Sequence, residues 1–134
     1  MLHEFGLAVN SIFGGEAFFK YAGMIFSDKQ TGYFDSEVYD KSRRQLHEHL
    51  VIDCIAAAVF AEERRTEVME FLGIEPGSGN SGNKATGLMK LCTKFHRVRG
   101  VHVTPTVFVN GVESPDISSG WTIEQWEEKL GTVK

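Results

Sequence analysis

The sequence has few cysteines and no long hydrophobic run, and each shortage excludes a class of protein. Two cysteines among 134 residues are too few for a small scaffold held together by disulfides. No window reaches the roughly 18 consecutive apolar residues from which a membrane-spanning helix is predicted. The first residues include His3 and Glu4 and lack the basic and apolar regions of a secretion signal. We therefore expect a soluble protein and leave its compartment undetermined.

Basic residues are fewer than acidic residues. The chain has 14 Lys and Arg against 18 Asp and Glu, a formal net charge of -4. This balance provides no general attraction to nucleic acid or to an anionic membrane surface, so neither is predicted as a partner. With 42% hydrophobic residues, a chain of this length can bury a core of its own. We expect one structural domain.

Apolar residues at spacings of three and four predict helices over most of residues 1–99. The stripe Leu2, Phe5, Val9 and Ile12 predicts a helix that ends at Gly14. The other helices are predicted over 16–27, from about 36 or 40 to about 60 with an internal break, over 62–72, and from Asn83 to Val98. The segments 28–35 and 76–82 are predicted to be connections.

The pattern changes after Gly100. Residues 101–109 are rich in β-branched side chains, and Asn110-Gly111 follows them. This dipeptide is a strong signal for a two-residue β-hairpin, so two antiparallel strands are predicted here.

The last helix has a clear local signature. Thr122 and Gln125 have the spacing of a capping box, and Trp121 and Trp126 occupy the positions of a hydrophobic staple. A helix is therefore predicted over 123–130.

Two segments resemble ligand-binding motifs and fail in detail. Gly77–Lys84 has the glycine spacing of a phosphate loop, but Asn83 occupies the lysine position and a helix, not a strand, precedes it. His47 and His49 are two positions apart, so on a helix they point away from each other and do not share a metal ion. We predict no metal site and no cofactor.

The two cysteines, Cys54 and Cys92, lie in apolar, helix-like surroundings typical of inert buried thiols. Their spacing does not determine whether they pair, and neither belongs to a redox motif.

Pro105 is the most informative residue of the C-terminal segment. Residues 100–111 read Gly-Val-His-Val-Thr-Pro-Thr-Val-Phe-Val-Asn-Gly. Because proline cannot donate to a strand ladder and restricts the residue before it, its place at the start of a β-branched run needs an explanation. It either lies at an edge or strand start, or forms a cis Thr104–Pro105 bond, which is usually kept in a tight turn for a purpose.

This segment resembles the second half of the thioredoxin fold, in which a cis-proline loop leads into a strand, a hairpin and a final helix. Residues 16–21, Glu-Ala-Phe-Phe-Lys-Tyr, leading to Ile25-Phe26, resemble the helical insertion of DsbA-like proteins. The similarity spans nearly the whole chain and is specific around Thr104-Pro105-Thr106.

The resemblance implies an α/β, thioredoxin-like (DsbA-like) fold. Residues 1–99 would form the helical insertion and residues 100–134 the C-terminal ββα half, while the family's N-terminal βαβ unit is missing from this chain. The Cys-x-x-Cys motif of the family belongs to that missing unit. Without a low-pKa thiolate there is no nucleophile for thiol-disulfide exchange.

The resemblance also implies a substrate-binding loop at Val103, Thr104, Pro105 and Thr106, where Thr104 offers its backbone to an extended peptide or protein substrate. One hypothesis is a truncated or fragmentary DsbA-like protein of the thiol-disulfide oxidoreductase family without redox activity of its own. The alternative is a non-catalytic peptide-binding or protein-binding module that uses this loop, and a degenerate domain without activity is the third. Whether the chain is an enzyme is left open. An unpaired strand over Thr106 to Val109 is also expected to promote self-association.

Overall fold

The computed structural model describes residues 1–27 and 32–132. The chain divides into two compact units, Met1–Leu91 and Cys92–Lys134. Helices hold 58% of the described residues and strands only 3%. Within the described ranges, every helix is too short or too polar to cross a membrane.

The elements follow one another as mostly short helices with a single hairpin near the end. In chain order they are α1 Leu2–Phe13, α2 Gly15–Ile25, α3 Asp35–Val38, α4 Arg43–Ala56, a 3₁₀ turn Glu62–Arg64, α5 Arg65–Leu72, α6 Thr86–Val98, β1 Phe108–Val109, β2 Val112–Glu113 and α7 Ile123–Gly131.

The predicted α/β, thioredoxin-like fold is wrong. The described residues contain a single sheet of two strands, and each strand is two residues long. The β-branched run from 101 to 107 forms no strand, because a strand needs a partner to satisfy its backbone. The predicted strand over Thr106 to Val109 is therefore limited to β1.

Most predicted helices are confirmed, with changed ends. The predicted break falls at residues 39–42, where Ser42 begins α4 in a capping box with Gln45. Helix α4 ends at Ala56 instead of continuing to 60, and Ala58 has a φ of 53°. Positions 28–31 of the predicted connection lie outside the described residues.

The first unit contains nearly all of the buried core. Phe5, Val9, Leu50, Val51 and Val68 are fully buried, and they bring together α1, α4 and α5. Burial of such side chains stabilises the fold by about 1.5–3 kcal/mol each.

The packing of α1 against α2 depends on a glycine. A Cβ atom at Gly6 would lie 2.9 Å from Cε1 of the Tyr21 ring. The Tyr21 hydroxyl donates a hydrogen bond to the Leu2 carbonyl at 2.8 Å, which fixes the ring over Gly6. A side chain at this position would force the two helices apart.

The second unit buries few side chains, and its structure depends mainly on contacts between residues that are close in sequence. Among its described residues Ile117 alone is buried, with 5% of its surface exposed. The capping box of Thr122 and Gln125 is confirmed. So is the staple, in which the rings of Trp121 and Trp126 meet edge to face with centroids 5.5 Å apart.

Candidate functional site

The four residues predicted to form a substrate-binding loop line one cleft of the second unit. The cleft has a volume of about 350 Å³, and its walls are Val103, Thr104, Pro105, Thr106, Val107, Glu113, Ser114, Pro115, Ile117, Ser118 and Ser119. The Thr104–Pro105 bond is cis, which confirms the second explanation of this proline. The predicted residues are therefore contiguous in sequence and share one surface depression.

Hydrogen bonds to the hairpin hold the cleft walls in place. The Ser114 N–H donates to the Val107 carbonyl at 2.9 Å, which continues the β1–β2 pairing by one residue. Asn110 and Gly111 both have positive φ, 51° and 84°, as a two-residue type I′ hairpin requires. On the other wall, the Thr106 hydroxyl donates to the Val103 carbonyl at 2.6 Å and closes the bend around Pro105.

Several backbone groups of the loop are unpaired. Within residues 1–27 and 32–132, no hydrogen bond uses the N–H or C=O of Thr104, or the N–H of Thr106. In the hairpin, Val109 pairs with Val112, and Val107 accepts from Ser114. Because antiparallel residues alternate between the two edges of a strand, Thr106 and Phe108 direct their backbone groups away from β2.

The side chains of the cleft provide an apolar floor and small polar walls. Ile117 is buried beneath it, while Val103 is 69% exposed. Ser114, Ser118 and Ser119 line one wall, together with Glu113. The lining thus combines apolar, hydroxyl-bearing and acidic residues, a mixture that can contact both apolar and hydrogen-bonding groups of a ligand.

The cysteines do not contribute to this cleft. Cys54 lies in the core of the first unit, and burial raises the pKa of its thiol to about 12. Cys92 is half-buried, so the prediction that both thiols are buried is wrong for this one. Both are free. A thiol with a raised pKa is a poor nucleophile at neutral pH because the thiolate is the reactive species.

A buried polar cluster in the first unit was missed by the sequence reasoning. Glu4 is only 7% exposed and accepts hydrogen bonds from Asn83 Nδ2 at 2.7 Å and from Arg43 Nε at 3.1 Å. A second Arg43 nitrogen also contacts this carboxylate. His47 lies next to it, with Nε2 at 3.5 Å from Glu4 Oε2, and burial lowers the pKa of this imidazole.

The signal for this cluster was weak in the sequence. Glu4 sits beside Phe5 in the apolar stripe of α1, so a charged residue at the edge of a buried face was the only local sign. Its partners Arg43 and Asn83 are 39 and 79 positions away, and helical periodicity does not identify such distant pairs. The spacing of the two neighbouring histidines does not indicate that His47 is buried while His49 is exposed.

Comparisons with protein-family models, with curated proteins and with solved structures gave no match for this chain. The DsbA-like resemblance of residues 100–111 therefore stays a prediction.

Proposed function

We propose that this protein is a non-catalytic binding module that holds an extended peptide or protein segment along the backbone edge of residues 104–108, next to the cleft lined by 103–107 and 113–119. The observation that carries the proposal is the set of unpaired backbone groups at Thr104 and Thr106, two residues that also line that cleft. An extended peptide has the same alternation of donors and acceptors, so it can pair with these groups as an added strand.

The open side of β1 favours this mode of binding. Like Thr106, Phe108 directs its backbone N–H and C=O to the outer edge of β1, where there is no partner strand among the described residues. Exposed strand edges form hydrogen bonds readily with another chain. The ring of Phe108 lies under the Arg99 guanidinium, 4.1 Å from its carbon to the ring centroid, which fixes the residue at this edge.

The side chains of the cleft favour a segment with alternating character. Main-chain hydrogen bonds give affinity in strand addition, while pockets for alternate side chains give specificity. The apolar surface of Val103 and Ile117 suits an aliphatic side chain, whereas Glu113 suits a basic or hydroxyl-bearing one. We therefore expect peptides with alternating aliphatic and basic residues to bind best.

The other hypothesis, a DsbA-like member of the thiol-disulfide oxidoreductase family without redox activity, predicts the same binding loop and the same inert thiols. It is favoured only by the resemblance around Thr104-Pro105-Thr106. An insulin-reduction assay distinguishes a catalytic chain from a binding one. Turnover that disappears when Cys92 is replaced with alanine would contradict the binding-only function.

Fluorescence anisotropy of a labelled nonapeptide with alternating valine and lysine tests the binding directly. Ser119→Trp fills the cleft and should lower the affinity for the peptide by at least about tenfold, about 1.4 kcal/mol. Ser11→Trp, an equally large change at an exposed position of α1, is the matched control and should leave affinity unchanged. Equal affinity for both variants, or no saturable binding to the unmodified protein, would refute the proposal.

A further inference from the structure

A second and larger cleft lies in the first unit, between α4 and α5. Its volume is about 630 Å³, within the range of small-molecule sites. Arg43 and Arg44 come from the first turn of α4, and Arg65 is the first residue of α5. Guanidinium groups from two different helices therefore border one cavity.

These arginines retain donors that their partners do not use. Arg44 uses Nε to bind Glu48 at 3.1 Å, while Arg65 Nη1 is 3.5 Å from Glu62, a long contact that contributes little. A guanidinium carries five N–H donors in a fork that matches a carboxylate or phosphate. Both side chains are thus able to bind a further anionic group.

The positive charge that can attract an anion lies at Arg44 and Arg65. Three arginines and the carboxylates of Glu48 and Glu70 line the cleft, but Arg43 is already bound to the buried Glu4. Because Arg44 and Arg65 both lie in the first turn of a helix, the positive ends of the two helix dipoles add to the attraction. Glu70 is the group that opposes it, since no ion pair among the described residues neutralises this side chain.

His47 provides an independent sign of a polar ligand site. It lines the same cleft, is 3% exposed, and its Nε2 makes no hydrogen bond to the described residues, with Glu4 Oε2 the neighbouring carboxylate oxygen at 3.5 Å. A buried polar atom without a partner is rare in folded proteins and calls for an explanation. A ligand with a hydrogen-bonding head group would supply the partner that this nitrogen lacks.

Apart from Thr66, the rest of the lining is apolar. Met69, Leu72 and Ile74 contribute to the wall, and Ile74 is 52% exposed. An inorganic ion would leave this surface in water, whereas a ligand with a short aliphatic or aromatic group would cover it.

We propose that this cleft binds a small amphiphilic anion. Its carboxylate or phosphate group lies between Arg44 and Arg65 near His47, and its apolar group lies against Met69 and Ile74. The function is separate from peptide binding because every residue of this cleft belongs to the first unit.

Titration of the full chain with hexanoate, hexyl phosphate and hexylammonium, followed by amide chemical shifts, tests the proposal. At least one of the two anions should bind with shifts centred on α4 and α5, and hexylammonium should not. Whichever anion binds more tightly identifies the head group. Equal binding of the cation, or no saturable binding of either anion, would overturn the site.

Four variants test which charged side chains act on the anion. Arg44→Met and Arg65→Met should each lower the affinity for the anion about fivefold, about 1 kcal/mol. Arg97→Met, which changes an exposed arginine of α6, should leave the affinity unchanged. Glu70→Gln removes the opposing carboxylate and should tighten binding about twofold. A gain of affinity does not arise from poor folding, so an unchanged or weaker Glu70→Gln variant would contradict the assignment.

Discussion

The buried contact between Glu4 and Arg43 should stabilise the first unit more than any surface ion pair. Arg43→Met keeps the aliphatic stem and the helix propensity while it removes the guanidinium. It leaves the Glu4 carboxylate, 7% exposed, with a hydrogen bond from Asn83 alone. Breaking a fully buried pair costs about 3–5 kcal/mol. Because the Arg43 side chain is 43% exposed, water replaces part of the loss, and we expect about 2 kcal/mol.

A double-mutant cycle isolates the interaction. Glu4→Gln keeps an acceptor for Asn83 but removes the charge, so it should cost about 1–2 kcal/mol. The double variant should lose less than the sum of the single variants, with a coupling energy of about 1 kcal/mol or more. Urea unfolding followed by far-ultraviolet circular dichroism measures the free energy of unfolding for each protein.

Arg44→Met is the matched control for this cycle. Arg44 lies next to Arg43 on the same helix and makes an exposed pair with Glu48 four positions on. Such pairs stabilise a helix by about 0.3–0.5 kcal/mol. If Arg43→Met and Arg44→Met cost the same, or if the coupling of Arg43 and Glu4 is zero, the buried Glu4–Arg43 contact does not stabilise the fold more than a surface ion pair.

Three further predictions follow from other parts of the chain. Thr122→Ala removes the N-cap of α7 and should lower the free energy of unfolding of the protein by about 1 kcal/mol; urea melts without a change would contradict the assigned helix start. In the folded protein a thiol reagent should modify Cys92 rapidly and Cys54 only after unfolding, because Cys54 is buried with a raised pKa; rapid modification of both would contradict this. The open edge of β1 should cause concentration-dependent self-association in sedimentation velocity, and a chain that stays monomeric at high concentration would disprove it.

Local signals in the sequence predicted the helices well. The stripe Leu2, Phe5, Val9 and Ile12 predicted a helix over 2–13, and α1 has these bounds. The capping box at Thr122 likewise predicted the start of α7. These features depend on residues within one or two helical turns, so neighbouring positions are sufficient to specify them.

Features that join distant residues were not predictable in the same way. The run 101–107 has the β-branched composition of a strand, but composition does not supply the partner strand that a sheet requires. The fold inferred from the resemblance failed for this reason, although Asn110-Gly111 correctly located the hairpin. The ligand cleft between α4 and α5 was missed because Arg44 and Arg65 are brought together only by helix packing.

Amide hydrogen exchange at Thr106 and Phe108 tests the proposed binding function most directly. If a peptide pairs with the outer edge of β1, exchange at these two amides should slow by about 100-fold at a peptide concentration about 100 times Kd, while the amides of α4 keep their rates. The Ser119→Trp variant, which binds at least about tenfold more weakly, should show slowing of about tenfold or less under the same conditions. Peptide binding that leaves the exchange of Thr106 and Phe108 unchanged would contradict strand addition in this cleft.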